Sequence, residues 1–165
     1  KLTVPRFSLK QIGRFRYSTE EMTLINQIAR TYARSGDRNT SMDISRRLLQ
    51  YIEENGQGLD KYARQFTLVA HNYAIDLGLE KRYEEAERLA RRGWDICVTS
   101  GEFQFLAGFI AILAECRYFL GDLEESAKYY REAYTLYSIT QNTVCMDVMR
   151  QEAKEHLGLE LSGQP

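Results

Sequence analysis

Apolar residues recur along this chain at intervals of three and four, with polar residues between them. Ile25, Ile28, Ala29 and Tyr32 form one such stripe, the spacing of a single helical face. Ahead of it, Ser18 with Glu21 three residues later has the form of a capping box, which predicts a helix beginning there. The stripe stops at Ser35-Gly36-Asp37, where glycine supplies the left-handed backbone that helix ends favour. A second helix, from about residue 40 to 54, carries Ile44, Leu48, Leu49 and Ile52, and Asn55 to Gly58 read as a loop. A third, from about 60 to 77, carries Phe66, Tyr73, Ala74 and Leu77. "GLEKRYEE" is its turn into a fourth with Ala86, Leu89, Ala90 and Ile96. "TSGE" breaks the chain before a fifth helix over about 103–120, apolar on most sides and so packed between neighbours. Gly121-Asp122 lead into a sixth, with Tyr130, Ala133, Tyr134 and Tyr137. A seventh spans about 144–157 and stops at Gly158.

The proline pattern agrees. Pro5 and Pro165 are the only prolines, and a stretch this long without one is what helices joined by short connectors leave. Alternating strand patterns are scarce, so the chain is expected to be all-α.

Superposing the turns shows a repeat. Lys81 lies 45 residues after Gly36, and Gly121 lies 40 after Lys81. Before the turn, Ile25/Ala70/Ile110, Ile28/Tyr73/Leu113 and Ala29/Ala74/Ala114 coincide. After it, Ser41/Ala86/Ser126, Ser45/Ala90/Tyr130 and Leu48/Gly93/Ala133 coincide. Small residues belong where two helices of a pair cross closely, and larger ones wedge the next pair. That pattern is the signature of a helical solenoid.

The unit resembles the tetratricopeptide repeat, most closely in "ILAECRYFLGDLEESAKYYREAYTLY", through Leu113, Ala114, Gly121, Asp122, Ser126, Tyr130 and Ala133. The resemblance implies a right-handed superhelix of antiparallel helix pairs, about three pairs plus a terminal helix. It would occupy residues 18–160, between an N-terminal segment 1–17 and a tail 161–165. Lys81 replaces the turn glycine in the second unit, and the first diverges after Asp37.

In such arrays the first helix of each pair lines a concave groove that holds an extended peptide or partner segment. Projected here, the groove-facing positions are Asn26 and Arg30, then His71, Asn72 and Ile75, then Ala111, Glu115, Tyr118 and Phe119. An Asn amide both donates and accepts, so it pairs with a peptide backbone whatever its sequence. A guanidinium such as that of Arg30 can hold a carboxylate by a forked contact. Plainer readings stand beside these: Asn26 and Arg30 as solvated surface residues, Tyr118 and Phe119 as packing.

Other chemistries find little support. His71 and His156 are far apart and lack metal-ligand spacing, and Cys97, Cys116 and Cys145 lie in apolar helical stretches. Neither a metal nor a cofactor is expected, and no catalytic motif is present. The arginines of "ERLARRGW" and "SRRLL" alternate with glutamates, and the net charge of −1 offers no electrostatic case for nucleic acid. The tyrosines of "KYYREAYTLY" read as interhelical packing. No membrane-length apolar run or signal-peptide pattern is present. An odd number of cysteines without paired spacing suits a reducing compartment, so a cytoplasmic location is expected. The chain begins "KLTVPRF" without Met, which suggests a piece of a longer protein.

A closer resemblance follows from "FSLKQIGRFRYSTEEMTLINQIARTY", "HNYAIDLGLEKRYEEAERLARRG" and "LAGFIAILAECRYFLGDLEESAKYYREAYTLY". Phe7-Ser8-Leu9, Glu20-Glu21 and "LGLEKRYEEA" carry it. In that order they are similar to the C-terminal tetratricopeptide-like domains of Gram-positive helix-turn-helix transcriptional regulators, whose better-known members sense peptide pheromones. The resemblance implies a non-enzymatic sensor domain that binds a peptide and forms a homodimer, with DNA contacted only through a helix-turn-helix domain absent from these residues. Asn26, Arg30, His71, Asn72 and Glu115 would be the matching groove positions. Three pairs make a short, shallow groove. The alternative is a generic scaffold that recruits a protein partner without regulating DNA.

Overall fold

In the computed structural model, which describes residues 8–56 and 60–162, every regular element is helical. Seven α-helices follow one another: α1 (Thr19–Arg34), α2 (Arg38–Asn55), α3 (Ala63–Leu79), α4 (Tyr83–Ser100), α5 (Leu106–Phe119), α6 (Leu123–Ile139) and α7 (Thr143–Leu157). Short 3-10 turns lie at Leu9–Gln11, Asp60–Tyr62 and Phe103–Phe105. Each helix packs against the next in sequence. The all-α expectation holds. Residues 57–58 of the expected loop, and Phe7, lie outside the described residues.

Helix boundaries follow local capping chemistry. Ser18 accepts a hydrogen bond from the Glu21 amide at 3.2 Å, and the Glu21 carboxylate accepts one from the Ser18 amide at 3.0 Å, completing the capping box. The third and fifth helices begin later than their periodicity suggests. Neither Tyr62 nor Phe105 offers a capping side chain, and each helix is entered through a 3-10 turn instead. The turn after α3 is also shorter than "GLEKRYEE", because Gly78 and Leu79 remain helical.

The turns themselves are the clearest repeat in the backbone. Gly36, Lys81 and Gly121 share left-handed φ values of 92°, 60° and 88°. At each, the following amide reaches back to the carbonyl five residues earlier: Asp37 to Tyr32, Arg82 to Leu77, and Asp122 to Arg117. This is the Schellman closure of a helix end. The Asp37 and Asp122 side chains then cap the next helix by accepting from the Thr40 and Glu125 amides. Arg82 cannot accept; it instead pairs with Glu85 at 2.7 Å. Lysine therefore occupies the turn position without altering its geometry.

Gln141 and Asn142 repeat the same closure between α6 and α7, with φ 55° at Gln141 and the Asn142 amide bonded to the Tyr137 carbonyl. The sequence does not announce it, since neither residue is Gly or Asp.

The crossing positions are filled as the repeat requires. Ala29, Ala74 and Ala114 have no exposed surface, and neither do Ser41, Ala86 and Ser126. The two serines are satisfied inside: Ser126 donates to the Ala114 carbonyl, and Ser41 to the Asp76 carboxylate, both at 2.8 Å. At the α6–α7 hairpin, Tyr134 and Met146 occupy the corresponding places, and α7 buries Met149 and Ala153 instead. Ile12 and Tyr17, ahead of α1, and Leu161, after α7, are also buried in the single core.

Candidate functional site: one face of α1, α3 and α5

The backbones of α1 and α3, and of α3 and α5, touch side by side. The even-numbered helices are joined instead through long side chains. Arg92 of α4 pairs with Glu53 of α2 at 2.6 Å; Arg91 of α4 donates to the Tyr129 hydroxyl of α6 at 3.1 Å. Helices closer on one side than on the other curve toward that side. The odd-numbered helices therefore line the inner face.

At one end of this face lies a cleft of about 420 Å³. It is lined by Thr19, Glu20 and Thr23 of α1, Arg64, Gln65 and Leu68 of α3, and Gln104 and Phe105 of the 3-10 turn before α5. The Arg64 side chain is exposed and has no ion-pair partner among the described residues. The Thr19 hydroxyl already donates to Glu20. Sequence reasoning missed this cleft because its groove positions were projected from mid-helix. Continuing the α1 stripe back by two turns from Asn26 gives Thr23 and Thr19, and from His71 on α3 it gives Leu68 and Arg64.

The mid-face residues do come together, but several are occupied internally. Asn26 is 1% exposed and accepts a long 3.4 Å hydrogen bond from the half-buried Asn72 amide. Its own amide nitrogen is buried without a partner. Arg30 pairs with Asp76 at 3.3 Å, so its fork is already directed at a carboxylate of this chain. Ile75 packs against the core. His71 sits with its ring 5.1 Å from that of Phe105 and 5.6 Å from that of Phe109, directly over Gly108. Its Nδ1 is buried and unpartnered. Burial, helped by the Arg30 charge, pushes the imidazole down to about 4. A neutral ring at ordinary pH follows.

Searches against known protein families and curated proteins find no match to this chain.

Toward the other end, Glu115 and Tyr118 of α5 face α7. The Tyr118 ring stacks on His156 at 4.1 Å with 5° between planes. His156 Nδ1 and the Tyr130 hydroxyl share a hydrogen bond of 2.8 Å. Phe119 leans outward and stacks on Tyr83 at 4.4 Å. Burial raises the Glu115 carboxyl, and Glu152 of α7 is pushed up to about 7 by burial and then by the charges of Glu115 and Glu155. Glu152 and His156 lie one turn apart on α7. No sequence signal marks them, because the turn at Gln141 carries neither glycine nor aspartate and the approach of α7 to α5 is set by packing.

Burial pushes the Cys97 thiol up to about 11 and the Cys116 thiol up to about 12, which keeps both protonated and poor nucleophiles. Among the described residues no group of His, Cys, Asp and Glu has the geometry to hold a metal ion, and no helix is long and apolar enough to cross a membrane.

Proposed function

We propose that this chain is a non-enzymatic recognition domain that holds an extended peptide, or a segment of a partner protein, along the inner face of α1, α3 and α5. The observation that carries the reading is the cleft of about 420 Å³ at the start of that face, with the free Arg64 guanidinium at its edge and the Gln65 and Gln104 amides beside it. Such a set suits a main chain and an acidic group, through paired donors and acceptors and a guanidinium that has no ion pair among the described residues, with the Glu20 carboxylate in the same lining. Asn72, half-buried beyond the cleft, extends the same chemistry along α3.

The resemblance to peptide-sensing regulators supplies a more specific version. In it the domain follows a helix-turn-helix DNA-binding unit in a cytoplasmic protein, pairs as a homodimer, and changes the presentation of two DNA-binding units when peptide arrives. Ligand can shift such an equilibrium only through unequal affinity for the two arrangements. The scaffold version needs only the face itself.

Calorimetric titration with a library of short peptides tests the shared claim. Peptides with an acidic residue or free C-terminus should bind, and Arg64→Ala should weaken them about tenfold, the loss of one charge-assisted contact. A protein that binds none of them, or binds them equally well as Arg64→Ala, would refute the assignment of this cleft.

A further inference from the structure

The cleft at the start of the inner face has two chemically different walls. On the α1 side, Thr23 Oγ1 donates to the Thr19 carbonyl at 2.9 Å, and Thr19 Oγ1 donates to the Glu20 carboxylate at 3.1 Å. A hydroxyl has a single hydrogen, so both threonines are spent as donors. What this wall still offers a ligand is lone pairs and the negative charge of Glu20. Hydrogen bonds from its own amide and from the Ser18 and Thr19 side chains hold the Glu20 carboxyl below its ordinary range, so it is ionised.

The α3 side is the reverse. The Arg64 guanidinium carries donors only, and the Gln65 amide has no hydrogen-bond partner among the described residues. Leu68 and Phe105 add apolar surface to the same lining. Glu20 and Arg64 thus bring opposite charges to one cleft of about 420 Å³, yet no ion pair joins them. Further along the same two helices, Arg30 and Asp76 do pair, at 3.3 Å.

We infer that this cleft receives the free amino terminus of a peptide, with its ammonium against the α1 wall and a carboxylate of the same peptide on Arg64. The inference rests on the peptide-binding reading above and adds which end of the peptide is held. An ammonium has donors only, which matches a wall that has acceptors only. The interior of an extended chain matches it poorly. Carbonyls accompany the amides along each edge of such a chain, and the α1 wall has no hydrogen to give them. Position agrees with chemistry: the cleft lies at one end of the inner face, where a bound chain can begin and run on toward Asn72. Leu68 and Phe105 suit an apolar side chain beside that terminus. The ligand class is therefore dipolar, an amino-terminal ammonium followed closely by an aspartate, a glutamate or a short peptide's own carboxylate.

Titration calorimetry tests this with pentapeptides that carry one aspartate, at each position in turn, made with free and with acetylated amino termini. Acetylation removes the ammonium charge and leaves the rest of the peptide intact. In the wild type it should weaken binding about tenfold, the loss of one charge-assisted contact. Affinity for the free forms should also decline as pH rises past the α-amino value of about 8. Glu20→Gln should bind the two forms alike. The capping box that starts α1 is made by Ser18 and Glu21, so this substitution leaves it in place, and circular dichroism should show unchanged helix content.

Equal binding of free and acetylated peptides by the wild type, a comparison that needs no variant, would overturn the inference. A loss in Arg64→Ala would then still uphold the peptide cleft itself. Affinity restored by a lysine inside an acetylated peptide would overturn it too, since the cleft would then hold any ammonium rather than a chain end. If no peptide of the set binds, both readings fall.

Discussion

Arg30 of α1 and Asp76 of α3 form a 3.3 Å ion pair in which the carboxylate is buried and the guanidinium reaches solvent. The second Asp76 oxygen accepts from Ser41 of α2 at 2.8 Å. One acidic side chain thus ties three helices, and through Ser41 it does so at the small-residue crossing of the first hairpin. Its cost in desolvation is offset by two good partners.

Removing that carboxylate should hurt. Asp76→Ala leaves Ser41 buried without an acceptor and Arg30 without a counter-charge, and should destabilise by about 2–4 kcal/mol. Asp76→Asn keeps an acceptor for Ser41 and should lose less. Urea denaturation of the three proteins checks the order. A loss below about 0.5 kcal/mol for Asp76→Ala, the level of an ordinary surface change, would mean the residue is not the tie described.

The lysine turn gives a test of opposite sign. Lys81 holds φ 60° where its counterparts are glycines, and a side chain in left-handed backbone is strained by about 1 kcal/mol. Lys81→Gly removes that strain, though glycine also adds freedom to the unfolded chain. A net gain of about 0.5 kcal/mol is expected. Gly36→Lys should lose about 1 kcal/mol, and its cause would be backbone alone, because a Cβ at Gly36 meets nothing within 4 Å. Thermal melts of both variants decide it.

Between the second and third pairs, the Phe109 ring occupies the space that a side chain at position 93 would need. Gly93→Ala should therefore destabilise by about 1–3 kcal/mol, despite alanine's better helix propensity. Phe109→Leu opens room there. The double variant should be less destabilised than the two single losses added together, since the residues are in contact. Strict additivity would show that α4 and α5 can shift apart without penalty.

Much of this architecture is written into local sequence. Ser18 with Glu21, and the aspartates after Gly36 and Gly121, state helix limits because caps act through neighbouring atoms. Ser41, Ala86 and Ser126 announce the crossings because size alone decides what fits there. What the sequence did not yield depends on distant partners. Asn26 has the chemistry of a peptide-binding amide, yet whether it faces solvent or Asn72 is set by how closely α1 and α3 approach. The Gln141 turn was invisible because its left-handed conformation is imposed on a residue with no preference for it. The Tyr118–His156 stack, between residues 38 positions apart, followed only once α7 was placed.

His71 should make the fold sensitive to acid. Its imidazole is pushed down to about 4 by burial, with Nδ1 buried and unpaired, while in the unfolded chain it titrates near the ordinary histidine value. Between those two pH values the unfolded chain holds the extra proton, so stability falls as pH falls from about 6.5 toward 4. A gap of this size corresponds to a loss of about 3 kcal/mol. Glu152 works against it, because a raised carboxyl stabilises the fold as pH drops from about 7. The two effects overlap in pH, so the wild type should show a shallow profile. In Glu152→Gln the histidine effect stands alone, and stability should fall steeply below about pH 6.5. The His71 Cε1 proton resonance should stay at its neutral position until the protein is well below pH 6 or unfolds. A normal titration of that resonance in the folded protein would show that the ring is reached by water and that the packing of Phe105 and Phe109 around it is looser than described.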